Sequence, residues 1–128
     1  MESISFRAWD KEEKKMHKVK TIEFSRRGAR IIHLAEVNSN GKGDHKRWHS
    51  SVELMQSTGL KDKNGTEIYE GDIVKNIYDE IYVVKWFDAG FHLEERYNGG
   101  FDYSELHFGN NKEVIGNIYE NPGLLEDN

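Results

Sequence analysis

Apolar and polar residues alternate over short stretches of the chain, and glycine and asparagine separate these stretches. Such alternation predicts β-strands, because successive side chains of a strand point to opposite faces. The first stretch places Ile4, Phe6 and Ala8 on one face of a strand. Further stretches share this pattern or are rich in β-branched and aromatic residues, and they cover residues 19–24, 31–37, 73–77, 81–87, 91–97 and 114–119. The pattern therefore predicts a mostly β fold.

One or two short helical turns are expected among these strands. Ser51 can cap a turn that continues through residues 53–55, because its hydroxyl can accept an otherwise unpaired amide. Asp102 followed by Glu105 favours a second helical turn. The stretch 38–46 is polar and contains glycine, so it is predicted to be a loop.

Two glycine-containing segments predict tight turns. Asn64-Gly65 is typical of a type I′ hairpin turn, in which both central residues have positive φ. Gly71 lies between Glu70 and Asp72, and this carboxylate pair has two interpretations. The acids could form a catalytic or metal site, or Gly71 could permit a bend at which Asp72 accepts backbone amides. We favour the turn, because glycine interrupts the strand that would hold both carboxylates on one face.

The strands that follow this turn are expected to supply the core. A chain of 128 residues is long enough to bury a core as one domain without covalent links. The absence of cysteine excludes disulfides and thiolate chemistry, and it fits a reducing compartment. The predicted core positions are Ile73, Val74, Val83, Trp86, Ile115 and Ile118.

Composition and hydropathy favour a cytoplasmic protein. The first residues show no basic leader followed by an apolar segment, so no secretory signal is predicted. No apolar run approaches the roughly 20 residues that a membrane-spanning helix needs. Charged residues make up 32% of the sequence, and 12% aromatic residues argue against disorder.

The net charge of −5 hides an opposition between the two halves of the chain. Residues 1–63 hold fourteen Lys and Arg against nine Asp and Glu, whereas residues 64–128 hold four against fourteen. The first half is therefore basic and the second half strongly acidic. This asymmetry has three interpretations: pairing of the halves within one chain, a basic face for a polyanion, or complementary faces that meet between copies.

A basic stretch in the first half is a candidate nucleic-acid interface. Its positive side chains could contact phosphates, and a tryptophan beside them could stack on bases. The acidic second half would oppose such binding unless it lies on the far side. The residues of this candidate interface are Arg26, Arg27, Arg30, Lys42, Lys46, Arg47 and Trp48.

No catalytic or metal-binding residue is predicted. His45 and His49 have the spacing of two zinc ligands on a helix, but Gly41 and Gly43 argue against a helix there. Without cysteine, a zinc site would need further ligands from elsewhere in the chain. The sequence contains neither a G-x-S-x-G nucleophile motif nor a phosphate-binding loop. We therefore expect a protein that is not an enzyme and that uses no cofactor.

Three segments of the chain resemble the YopX family of phage and prophage proteins. They are LMQSTGLKDKNGTEIYEGDIV at residues 54–74, VIGNIYENPGLL at residues 114–125 and ISFRAWD at residues 4–10. Because these segments lie at both ends and in the middle, the resemblance covers essentially the whole chain. Gly123 departs from the family pattern, in which a larger residue is expected.

The resemblance implies one domain over residues 1–128. Residues 1–56 would supply N-terminal strands and a loop, and residues 57–128 a small, strongly bent SH3-like barrel. The family implies no assigned activity, and it suggests a phage-encoded accessory protein that forms a homo-oligomer. A host protein is another class of partner, because the acidic second half could present carboxylates spaced like phosphates to a DNA-binding enzyme of the host. The aromatic residues nearest the predicted strand ends are candidates to anchor contacts between copies: Trp9, Trp48 and Tyr119.

Overall fold

The fold is built almost entirely from short antiparallel β-strands. The structure, a computed structural model, describes residues 5–26, 28, 30–35, 45–97 and 99–126. These residues form eleven strands and two single turns of 3-10 helix, so the predicted mostly β fold is confirmed. Within this described part of the chain, no helix is long and apolar enough to cross a membrane.

The chain forms two compact units, and the division between them falls between Gln56 and Ser57. In the N-terminal unit the strands pair in the order β4-β3-β2-β1-β5, and every neighbouring pair is antiparallel. The first half of β5 belongs to this unit. The elements of this unit are β1 (Phe6–Asp10), β2 (Lys15–Phe24), β3 (Arg30–Leu34), β4 (Lys46–Trp48), a 3-10 turn (His49–Ser51) and β5 (Val52–Lys61).

The N-terminal sheet has to curl, because its first and last strands are joined by a very short link. Only the 3-10 turn His49–Ser51 connects β4 to β5, although β3, β2 and β1 lie between them in the sheet. In a flat sheet the two strands would lie roughly 19 Å apart, at ~4.8 Å for each strand spacing. The link spans at most roughly 14 Å even when fully extended. The curled sheet packs its core on the inner face, around Ala8, Ile32, Leu34 and Val52.

The predicted helical turn after Ser51 is wrong. Residues 53–55 lie in β5, where Val52 is opposite Asp10 and Leu54 is opposite Ala8. Pairing with β1 satisfies their backbone amides and carbonyls, so a helical turn offers them no advantage. The single 3-10 turn instead ends at Ser51. The predicted loop 38–46 overlaps β4 at Lys46, and its residues 38–44 lie outside the described part.

The C-terminal unit contains a five-stranded antiparallel sheet in the order β10-β9-β8-β7-β11. The second half of β5 pairs with β6 in the same unit. Four buried residues form the main cluster of the unit, namely Ile68, Val74, Val84 and Leu93. The elements of this unit are β6 (Glu67–Tyr69), β7 (Asp72–Lys75), β8 (Ile81–Phe87), β9 (Gly90–Tyr97), β10 (Gly100–Glu105), β11 (Glu113–Asn117) and a 3-10 turn (Pro122–Leu125).

The predicted core of this unit is correct except at its periphery. Ile73, Val74 and Val83 are completely buried. Trp86, in contrast, is 45% exposed, so its prediction as a core residue is wrong. Strand β7 pairs with β8 only as far as Val83. The end of β8 that carries Trp86 therefore extends beyond β7. The two predicted positions in or after the last strand, Ile115 and Ile118, are partly buried.

The segment that begins at Gly100 is a strand and not a helical turn. Residues 100–105 pair along their whole length with β9, and Asp102 lies opposite Glu95. The helical turn predicted from Asp102 and Glu105 is therefore wrong. No closed barrel is detected among the described residues, and the SH3-like barrel stays a prediction.

The turn at Asn64-Gly65 is held by a buried carboxylate. The Gly65 amide donates to the Asp62 carbonyl over 3.0 Å, and Gly65 has a φ of 83°. Asn64 is not among the described residues with positive φ, so the type I′ prediction is wrong. The Asp62 Oδ1 accepts the amides of Asn64 and Thr66, and its Oδ2 accepts the amide of Val114. Burial on its own would raise the pKa of Asp62, but these hydrogen bonds outweigh burial and lower the pKa.

The backbone at Gly71 bends as a left-handed residue. Its φ is 87°, its amide donates to the Val84 carbonyl, and its carbonyl accepts the Ile118 amide. The neighbouring Asp72 is almost completely buried, and its Oδ2 accepts the Tyr69 amide over 2.8 Å. The carboxylate of Asp72 thus supports the turn before β7.

We expect Gly71→Ala to lower the free energy of unfolding by about 1–3 kcal/mol, because a β-carbon is strained at this φ. Chemical denaturation monitored by circular dichroism measures the change. Gly123→Ala is the matched control, since a β-carbon at Gly123 meets no atom within 4 Å and its φ is not in the left-handed region. Equal stability of the two variants would contradict the strained-turn interpretation.

Candidate interaction surfaces

An ion pair ties the short strand β4 to the end of β1 in the N-terminal unit. Arg47, at the centre of β4, donates from Nε to Asp10 Oδ2 over 2.6 Å and from Nη2 to Glu13 Oε1 over 2.5 Å. Asp10 is 2% exposed, and its Oδ1 accepts the backbone amides of Glu12 and Glu13. The guanidinium of Arg47 is therefore engaged in holding the curled sheet.

This network shifts the ionisation of both partners. Burial on its own would raise the pKa of Asp10, but hydrogen bonds from Arg47 and from the amides of Glu13 and Glu12 outweigh it and lower the pKa to about 2. The same pair raises the pKa of Arg47, chiefly through its hydrogen bond to Asp10. Both side chains stay charged at neutral pH.

Asp10, Glu13 and His17 also form a cluster of potential metal ligands. One ligand atom of each lies within 4.8 Å of the others. The Arg47 guanidinium already contacts both carboxylates, and its positive charge opposes a cation at the same place. We therefore assign this cluster to the fold.

The outer face of β4 presents a basic and aromatic edge. Lys46 and Trp48 flank Arg47 in the strand, so their side chains point away from the face that Arg47 occupies. Trp48 is 59% exposed. The Leu34 amide donates to the His45 carbonyl, so this pair, which continues the register of β3 and β4, is hydrogen-bonded. Hydrogen-bonded and non-hydrogen-bonded pairs alternate along an antiparallel ladder. The backbone groups of Lys46 and Trp48 consequently point away from β3.

The remaining residues of the predicted basic interface are dispersed. Arg26 is exposed just after β2, and Arg30 is half-buried in β3. Arg27 and Lys42 lie outside the described residues. Within the described part, the exposed candidates of this interface are thus Arg26, Lys46 and Trp48.

The C-terminal unit carries an exposed aromatic surface on strands β8, β9 and β10. Phe87 stacks on His92, with ring centroids 3.9 Å apart, and meets Tyr103 edge to face at 5.1 Å. Tyr103 is 52% exposed, and Phe101, two residues earlier on the same face of β10, is 54% exposed. The Arg96 guanidinium lies 5.8 Å from the centroid of the Phe101 ring. We call these five residues the aromatic surface.

A buried carboxylate forms hydrogen bonds with two residues of the aromatic surface. Glu94 is 5% exposed, and it accepts the Tyr103 hydroxyl and the Arg96 Nε, each over 2.9 Å. The hydrogen bond to Glu94 raises the pKa of Tyr103. These contacts hold Tyr103 and Arg96 in place.

The free edge of β10 belongs to the same region. The Leu106 amide donates to the Phe91 carbonyl, so the even-numbered residues of β10 bond to β9. The backbone groups of Phe101, Tyr103 and Glu105 therefore point to the opposite edge. Strand β10 is the last strand of its sheet among the described residues, so this edge has no neighbouring strand there.

Comparisons with known proteins assign the chain to a family. The sequence profile of the family described as YopX protein matches residues 5–126. The chain belongs to the YopX family. No curated relative matches the sequence.

Two solved structures resemble this YopX-family chain over nearly its full length. The crystal structure of protein EF1440 from Enterococcus faecalis is 30% identical, covers 98% of this chain and 100% of its own, and has a TM-score of 0.54. The crystal structure of protein yopX from Bacillus subtilis is 22% identical, covers 95% of this chain and 98% of its own, and has a TM-score of 0.60. The second likeness shows a shared fold.

The aromatic residues predicted to anchor contacts between copies differ in exposure. Trp48 is well exposed, whereas Trp9 in β1 and Tyr119 after β11 are partly buried. Sequence reasoning missed the aromatic surface of this YopX-family protein. The alternation of Phe101 and Tyr103 is the signal for it in the sequence, and the predicted helical turn from Asp102 to Glu105 obscures that alternation.

We expect the stability of this YopX-family protein to fall as the pH drops from about 4 toward 2. The folded pKa of Asp10 lies below its ordinary value, so its contribution is present at neutral pH and disappears as it is protonated. Asp10→Asn should cost roughly 2 kcal/mol at pH 7 and little at pH 2. Urea denaturation across this pH range measures both values.

Glu12→Gln is the control for this pH experiment. Glu12 is exposed, and it contacts Asp10 through its backbone amide, which the substitution keeps. An Asp10→Asn protein with the same acid sensitivity as the parent would contradict the assignment.

Proposed function

We propose that this protein acts by binding, as a phage or prophage accessory protein that assembles into a homo-oligomer and catalyses no reaction of its own. In this proposal it works in the cytoplasm of the bacterial host, and residues 57–128 form a small, strongly bent SH3-like barrel. The supporting observation is the pair of exposed surfaces that carry aromatic side chains, namely the β4 edge with Trp48 and the aromatic surface on β8–β10.

Exposed aromatic side chains of this kind are typical of interfaces. Monomeric proteins rarely leave large contiguous apolar patches in water, and tyrosine, tryptophan and arginine dominate binding energies at protein contacts. The aromatic surface combines Phe87, Phe101 and Tyr103 with Arg96. Its partner would cover these rings and keep the hydrogen bonds to Glu94.

The charge distribution favours contact between unlike surfaces of two copies. The first half of the chain is basic and the second half is acidic, so identical faces repel each other and different faces attract. A contact between different surfaces is head-to-tail, and it closes into a ring when the rotation between copies permits. This supports a homo-oligomer over a protein that binds only a foreign partner.

We expect multi-angle light scattering at micromolar concentration and ordinary salt to give a mass that is a multiple of the 14.9 kDa chain. Size-exclusion chromatography before the detector separates assemblies from aggregates. A single species of 14.9 kDa across the accessible concentrations would overturn the assembly proposal.

Nucleic-acid binding is the second candidate, and the exposure of Trp48 beside Lys46 favours it. The tryptophan would stack on a base while Lys46 and Arg26 contact phosphates. Engagement of Arg47 with Asp10 and Glu13 removes one positive charge from this interface. The interface is therefore smaller than the sequence indicated.

Nucleic-acid binding predicts retention on a single-stranded DNA or heparin column at about 0.1 M salt, where the Debye length is roughly 10 Å. Trp48→Ala should elute earlier from the DNA column than the parent. Tyr78→Ala is the matched control, since Tyr78 is an exposed aromatic residue in the acidic half. Flow-through of the parent at this salt concentration would exclude the candidate.

A further inference from the structure

Two strands of the protein end their sheets with an open edge in the described part of the chain, and the two edges match. Strand β4 (Lys46–Trp48) ends the N-terminal sheet, and strand β10 (Gly100–Glu105) ends the five-stranded sheet. Open edges present rows of amides and carbonyls that can pair with a strand of another chain. Neither edge contains proline, which would remove a donor.

We propose that β4 of one copy adds to β10 of the next copy as an antiparallel strand. This proposal rests on the homo-oligomer proposed above and assigns its interface. The outward backbone groups of Lys46 and Trp48 would bond to those of Glu105 and Tyr103, respectively. In this register Lys46 lies opposite Glu105, and Trp48 lies opposite Tyr103.

The side chains of this register are complementary on one face. Residues that lie directly opposite each other in an antiparallel pair carry their side chains on the same face, so all four side chains meet on the same side of the joined sheet. One cross-strand pair joins opposite charges, and the other joins two aromatic rings. Pairs of both kinds stabilise antiparallel sheets. The Trp48 ring would extend the aromatic surface beyond Tyr103.

The same register leaves the contacts of Arg47 and Tyr103 within each copy intact. Arg47 would lie opposite Ser104 on the other face, where it still reaches Asp10 and Glu13. Tyr103 would keep its hydrogen bond to Glu94, which holds the ring from the opposite side. Binding therefore requires no rearrangement of the charged network.

Pairing of β4 with β10 between two copies is more favourable than pairing of two like strands. Pairing β10 with another β10 would bring two acidic halves together. In one possible register Asp102 of one copy would lie opposite Asp102 of the other, and like charges directly opposite each other are destabilising. Pairing β4 with another β4 would bring two basic halves together. Pairing β4 with β10 joins opposite charges, and each copy offers one edge of each kind.

Charge reversal at the two positions tests the proposed register. We expect Lys46→Glu and Glu105→Lys each to weaken assembly about tenfold or more in dissociation constant. The double variant should recover most of the loss, because it restores opposite charges with the polarity reversed. Sedimentation velocity over a concentration series gives the dissociation constants, and circular dichroism checks the fold.

Lys20→Glu and Glu126→Lys are the matched controls, since both residues are exposed and lie away from the two edges. They change the net charge as the test variants do and should leave assembly unchanged. Failure of the double variant to assemble better than either single variant, with the controls unaffected, would overturn the register.

A second pair of variants tests the backbone contact itself. Glu105→Pro removes an amide that points to the free edge, whereas Glu105→Ala keeps that amide and removes the same side chain. We expect the proline variant to assemble more weakly than the alanine variant, with the same circular dichroism spectrum. Equal assembly of the two would show that β10 does not receive a strand.

These outcomes separate the interface from the proposal on which it rests. If the parent protein is a monomer at every concentration, the homo-oligomer itself is wrong. If the parent assembles but the Lys46, Glu105 and proline variants assemble equally well, only the assignment of β4 and β10 is wrong.

Discussion

The contact between Arg47 and Asp10 determines how the N-terminal unit can fold. The link between β4 and β5 is too short to reach across a flat sheet, so the sheet must curl to bring β4 close to β5. Hydrogen bonding between strands does not supply that closure, because β4 and β5 are at opposite ends of the sheet within this unit. The ion pair contributes to it, with Asp10 held by two further amides, and the Lys11 amide also donates to the Ser51 carbonyl. A buried charge without its partner is strongly destabilising, and the two residues therefore depend on each other.

Carboxylates in this protein satisfy backbone amides at turns. Asp10 does so after β1, Asp62 between β5 and β6, and Asp72 before β7. All three are nearly buried and accept amides that no strand partner can satisfy. An abundance of acids in the sequence thus reflects loop construction as well as surface charge. In the Glu70 and Asp72 pair, Asp72 therefore serves the turn before β7.

Strand content and several turns could be predicted from the sequence because they follow from local patterns. The bend at Gly71, for example, is present with a φ of 87°. The errors arise where pairing with another strand determines the secondary structure or the burial of a residue. Phe101 and Tyr103 belong to a strand because β9 is available to pair with them. Trp86 is exposed because β7 ends too early to cover it, and strand length across a sheet is not encoded in the local pattern of β8.

The candidate surfaces were only partly predictable for the same reason. Trp48 and Lys46 were recognised from composition, but Arg47 has the same charge and lies on the opposite face of a three-residue strand. The aromatic surface depends on which residues of three different strands share a face, and that requires the register between β8, β9 and β10. Phe87 and Tyr103 are sixteen positions apart in the sequence, yet their rings are in contact.

The direction in which the side chains of β4 point depends on the length of the link from β4 to β5. Because the side-chain period of a strand is two, a shift of β4 by one position exchanges its two faces. One residue added to or deleted from His49–Ser51 would favour such a shift and would direct Lys46 and Trp48 toward the core while Arg47 faces water. Insertions in natural variants should therefore be accommodated on the side of β4 that precedes Lys46, and the connection to β5 should keep its length.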